Sequence, residues 1–131
     1  MTRLRNIVRL VLTLALALGT EAFADRPVEK KENATHVIIG KVEAVLTHES
    51  KYYRDYIVEV RISEVAKGRG LDPGDVFYAS CYQRKKGVGG LEADSAGHTS
   101  VPKEGQRVKV FVNCHQGKFD GVYPNWYETL P

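Results

Sequence analysis

Apolar and polar side chains alternate with a period of two along most of this chain. In THVIIGKVEAVLTHE (35–49), Ile38, Gly40, Val42, Ala44 and Leu46 fall on one side, and Lys41 and Glu43 fall on the other with Val37, Ile39 and Val45. That period, with β-branched residues throughout, predicts a strand. Gly40 inside it predicts a bulge or tight bend, the device by which a long strand curls. Residues 52–65 (YYRDYIVEVRISEV) repeat the pattern, with Tyr56, Val58, Val60 and Ile62 alternating with Asp55, Ile57, Glu59 and Arg61. A helix is excluded there because the apolar positions step by two rather than by three and four. The short HESK link (48–51) predicts a hairpin between the two strands.

Lys67-Gly68-Arg69-Gly70 ends the second strand, and Asp72-Pro73-Gly74-Asp75 is a turn in which Pro presets φ and Gly allows positive φ. Residues 76–82 (VFYASCY) read as a third strand. After a long connection and a turn at Pro102-Lys103-Glu104-Gly105, residues 106–114 read as a fourth. In it Val108, Val110, Val112 and Cys114 face inward and Arg107, Lys109 and Asn113 outward. Phe111 also faces outward and is expected to cover an edge or a second small cluster. GKFDG (117–121) reads as a turn and 122–130 as a last strand holding the only tryptophan, Trp126. Pro124 marks that strand as an edge or a bulge, and the expected place of Trp126 is core or barrel-end packing. Five short strands separated by turn signals predict an all-β domain, a small antiparallel barrel or sandwich.

The first residues read as an address. Arg3, Arg5 and Arg9 precede the apolar run LVLTLALAL (10–18), and Ala22-Phe23-Ala24 is a small-x-small cleavage pattern. The run is shorter than the roughly 20 apolar residues a membrane-spanning helix needs. The expected organisation is a signal peptide at 1–24, a flexible polar lead-in at 25–33 and one domain at 34–131. The mature protein is then secreted or periplasmic, monomeric and without membrane contact.

Cleavage changes the charge. The full chain has 19 Lys+Arg against 16 Asp+Glu, and the signal carries three Arg and Glu21, which leaves a mature net charge of +1. Nothing in that balance favours a polyanion, and no nucleic-acid partner is expected. Two cysteines remain, Cys81 and Cys114. In an oxidising compartment they close a disulfide worth roughly 3–4 kcal/mol in the chain-entropy model, or they stay as two separate thiols; the spacing alone does not choose.

The order of motifs carries a resemblance. HVIIGKV, then YIVEVRISEVAKG, then PGD, then PKEGQRVKVFV is similar to the netrin-like, tissue-inhibitor-of-metalloproteinase-like group of secreted OB-type barrels, over roughly residues 34–112. The resemblance implies a small five-stranded antiparallel OB-like Greek-key barrel. It does not extend to protease inhibition. The inhibitors of that group chelate the target's zinc with a cysteine at the mature N-terminus, whereas here that end is Asp25-Arg26-Pro27 and no cysteine precedes Cys81. The chain looks closer to small bacterial secreted domains of this general shape.

Candidate chemistry concentrates in CYQRKKGVGGLEADSAGH (81–98). It is not a phosphate loop, because Lys85 and Lys86 precede the glycines and no helix pattern follows. Arg84, Lys85 and Lys86 form a cation cluster directly after a strand, with Glu92 and Asp94 downstream as internal counter-charges and His98 at the loop's end. No pair among His36, His48, His98, His115 and the cysteines has a metal-ligand spacing, and the Ser80-Cys81 region lacks a nucleophile elbow. No catalytic residue, metal or cofactor is therefore expected. The reading is a secreted non-enzymatic binding or accessory domain. It contacts a protein or polyanionic surface through the 83–101 loop, with Arg84, Lys85, Lys86 and His98 as ligand-binding residues. The alternative is an extracytoplasmic metal-binding protein with Cys81, Cys114 and a histidine as ligands.

Overall fold

The structure is a computed structural model that describes residues 27–85 and 97–131. Residues 1–24, expected to be a signal peptide, and the part of the long loop that holds Lys86, Glu92 and Asp94 lie outside the described residues. Six strands follow in order: β1 (His36–Glu49), β2 (Tyr53–Lys67), β3 (Val76–Arg84), β4 (Arg107–His115), β5 (Lys118–Gly121) and β6 (Tyr127–Thr129). Every pairing is antiparallel, in the order β3-β2-β1-β4-β5, with β6 on β4. Among the described residues there is no α-helix, only a 3₁₀ turn at Lys31–Asn33, and no helix is long and apolar enough to cross a membrane.

The aliphatic positions expected inward on β2 and β4 are buried, but the opposite faces are not uniformly exposed: Asp55, Ile57, Glu59 and Asn113 are buried too, and Cys114, expected inward, is half-buried. Val58, Val60, Val108, Val110 and Val112 are wholly buried, and with Ile38, Val42, Phe77 and Trp126 they form the main core. Each such aliphatic side chain contributes roughly 1.5–3 kcal/mol by leaving water. Phe111, on the opposite face of β4, joins Ala34, Val122 and Val37 in a second cluster.

Strand β1 keeps its parity only as far as Val42. The register then runs from Val42↔Val60 to Ala44↔Glu59, so Glu43 is an extra residue. Beyond it Val45, paired with Val58, packs on the core, while Ala44 and Leu46 turn to the other face beside Glu59 and Ile57. A second shift lies at Ile39/Gly40. A Cβ at Gly40 would run into the Arg61 carbonyl and meet Val60 Cγ1 at 2.8 Å, so glycine is needed for the close approach of β1 to β2.

Three expectations are corrected. Residues 117–121 are not merely a turn: Gln116 (φ 52°) and Gly117 (φ 77°) make a tight reversal, and β5 pairs back on β4 from Lys118 to Gly121. The last strand shrinks to Tyr127–Thr129, since Pro124 has no N–H to give a ladder. The sheet also does not close into a barrel. β3 and β5 approach each other but do not pair. The outward-pointing groups of Tyr82 on β3 are already used by His98, whose N–H donates to the Tyr82 carbonyl at 2.8 Å and whose Nδ1 accepts the Tyr82 N–H at 3.0 Å. A neighbouring bridge joins Gln83 to Gly97.

The stretch read as a lead-in is tied to the sheet at Glu29. Its N–H donates to the Tyr123 carbonyl at 2.7 Å, and its carboxylate accepts Asn113 Nδ2 at 2.6 Å and the Tyr123 N–H at 3.2 Å.

Candidate functional site

The bulge at Glu43 positions the site. β1 pairs with β4 over 36–41, and Val42 bonds to the backbone of Gln106 and Gly105. Residues 43–49 then run on beside β2 alone. An open groove of about 450 Å³ lies over the inner face from β1 across β2 to β3. Val45 and Tyr56, from the inner face of the hairpin, line it together with Gln83, and segment 99–104 forms the facing wall. The Tyr56 hydroxyl donates to Gln83 Oε1 at 3.4 Å, and Ser100 Oγ shares a 2.8 Å bond with the Tyr127 hydroxyl. The groove thus has an apolar floor and a polar rim that ends in Lys103 and Glu104.

Arg84 and Lys85 follow the groove residue Gln83 in the chain and do not form a bare positive patch, while Lys86 lies outside the described residues. Lys85 Nζ lies 3.4 Å from Glu49 Oε2, and Arg54 Nε lies 2.9 Å from Glu49 Oε1. Lys85 first, and then Arg54, hold the Glu49 carboxyl below the usual carboxylate range. Arg84 is half-buried, and among the described residues its Nε is buried without a hydrogen bond. A counter-charge for Lys85 comes from the first hairpin, a long-range pairing that no local pattern announces; Glu92 and Asp94 lie outside the described residues.

His98 is not displayed on a loop. It is 5 % exposed and packs edge-on against Tyr82 and Tyr123, with ring centroids at 5.5 and 5.0 Å. Because Nδ1 accepts the Tyr82 amide, a neutral ring carries its proton on Nε2. The Tyr82 and Tyr123 rings stack at 6.1 Å and their hydroxyls share a 2.9 Å bond. His98 therefore braces the edge of β3.

Cys81 and Cys114 are both thiols and no disulfide joins them. Cys81 lies in the main core opposite Tyr56, which pairs with Thr47 near the end of β1. Cys114 lies beyond the Val112↔His36 pair at the start of β1. Strand register thus sets the two at opposite ends of β1, and among the described residues no three His, Cys, Asp or Glu side chains converge as metal ligands.

One feature escaped parity altogether. Asp55, assigned to the solvent face of β2, is 1 % exposed, and neither carboxylate oxygen has a hydrogen bond among the described residues. Its neighbours across the sheet are His48 on β1, at 3.8 Å, and Tyr82 on β3. Burial pushes its carboxyl above the usual carboxylate range, partly offset by the His48 imidazole. Comparison of the chain with protein-family models, with curated proteins and with solved structures finds no match in any of the three.

Proposed function

We propose that this is an extracytoplasmic, non-enzymatic binding domain that engages a protein partner through the groove and the adjoining 83–101 loop. The observation that carries this reading is the groove itself: an open concavity of about 450 Å³ with Val45 and Tyr56 as its floor and Gln83 and segment 99–104 as its rim. Its volume lies in the range of about 300–1,000 Å³ typical of binding sites. A protein suits it better than a polyanion, because the Glu49 carboxylate, in contact with both Lys85 and Arg54, offsets part of their charge and repels an anion there. The strand order β3-β2-β1-β4-β5 suits a partly open OB-type barrel, in keeping with the netrin-like resemblance of the motifs.

The test is the triple variant Arg84→Ala, Lys85→Ala, Lys86→Ala. Its circular dichroism is expected to match the parent, and its capture of partners from the native extracytoplasmic fraction to weaken. Undiminished capture refutes a role for these side chains in binding.

A further inference from the structure

We propose that the partner enters as an extended peptide that adds a strand to the free edge of β1. This deepens, and rests on, the reading of the groove as a binding site. The hydrogen-bond parity of the hairpin defines that edge. The Ser50 N–H donates to the Tyr53 carbonyl at 2.9 Å. Antiparallel ladders alternate bonded and non-bonded pairs. The pairs His48↔Asp55, Leu46↔Ile57 and Ala44↔Glu59 are therefore the bonded ones. It follows that the backbone N–H and C=O groups of Val45, Thr47 and Glu49 point away from β2. Beyond Val42 no strand among the described residues meets them there. Three donors and three acceptors at a two-residue repeat form a template for another chain.

The chemistry of the groove selects the occupant. Glu43 pairs with Arg61 at 3.0 Å, Glu49 is shared by Arg54 and Lys85, and Lys103 and Glu104 on the groove rim are of opposite sign, so these groups leave one positive charge in excess. One exposed charge holds a ligand weakly in water, so backbone hydrogen bonds and apolar contact must carry the binding. Val45, on this edge strand, also lines the inner-face groove with Tyr56, Val101 and Pro102. They suit a strand that turns an apolar side chain inward at every second residue and leaves the others in water. The occupant is therefore a neutral, alternating apolar–polar segment of a protein, bound through its main chain.

The experiment pans the full exported chain against a displayed library of random peptides of about ten residues, a little longer than a typical strand. Enriched peptides are expected to alternate apolar and polar residues and to protect the Val45, Thr47 and Glu49 amides from hydrogen exchange. N-methylation of the peptide at alternate positions is expected to weaken binding by about tenfold or more for each bond lost. Thr47→Pro removes one edge donor without touching the β2 ladder, so the fold should persist while affinity falls similarly. Peptides that bind with those amides unprotected, or that tolerate N-methylation, overturn strand addition and leave the groove standing as a site. Failure to enrich any peptide overturns strand addition as well; only if the parent chain also captures no partner from the native extracytoplasmic fraction does the binding-domain reading fall with it. A dimer that protects the same amides without peptide makes a second copy the occupant and overturns the proposal.

Discussion

Asp55→Asn tests whether a buried charge without a hydrogen-bonding partner weakens this fold. Asp55 is 1 % exposed and neither of its oxygens accepts a hydrogen bond among the described residues; its nearest compensation is His48 at 3.8 Å, a side chain largely in water. The groups packed around it are His48 on β1, Tyr82 on β3 and Tyr53 on its own strand. An unsatisfied neutral amide in such a place costs about 1–3 kcal/mol, and an uncompensated carboxylate costs more. The variant keeps the first cost and sheds the excess, so a gain of about 1 kcal/mol is expected at pH 7, or about 4–8 °C in Tm for a domain of this size.

The pH dependence has a definite sign. Burial raises the Asp55 carboxyl above its unfolded value. The folded state thus holds a proton over a window in which the unfolded chain has released it. That stabilisation is complete below the ordinary carboxylate range and is lost as pH rises through the raised folded value. Thermal melts of parent and variant from pH 3 to pH 8 read the difference. The two curves should converge at the acid end and separate above the window. If Asp55→Asn lowers Tm at pH 7 but not at pH 3, the carboxylate is held by partners and the burial cost is refuted.

Other outcomes follow from the same packing. Gly40→Ala forces a Cβ against the Arg61 backbone and Val60 and should cost about 1–3 kcal/mol in denaturant melts. Trp126, the sole tryptophan, is 1 % exposed, so its emission should be that of a buried indole and resist iodide quenching; Trp126→Ala should cost about 3–5 kcal/mol. His98→Ala leaves the Tyr82 amide without its acceptor and opens the Tyr82–Tyr123 stack, an expected loss of about 1–3 kcal/mol with changed near-ultraviolet tyrosine dichroism. Two thiols should react with Ellman's reagent in the unfolded chain, since Cys81 and Cys114 are unbridged.

Local pattern sufficed where one face of a strand meets the core and the other meets water. The alternation along β2 and β4 named Val58, Val60, Ile62, Val108, Val110 and Val112 as interior, and all six are buried. The Asp72-Pro73-Gly74-Asp75 turn was equally legible, with Gly74 at φ 91° and the Asp75 N–H bonded to the Asp72 carbonyl. These features depend on a residue and its near neighbours, so period and turn chemistry carry them.

Tertiary structure decided the rest, because those outcomes depend on contacts far apart in the chain. The extra residue at Glu43 reverses the inward set of β1, and only pairing with β2 reveals it. Asp55 and Glu59 look solvent-facing by parity yet are buried, since flanking strands cover that face too. His98 occupies the edge of β3 that a closed barrel would have given to β5. The groove beside β1 exists because β4 stops pairing where the hairpin continues, a matter of register. Periodicity states which side chains share a face; what lies against that face is settled only when the strands meet.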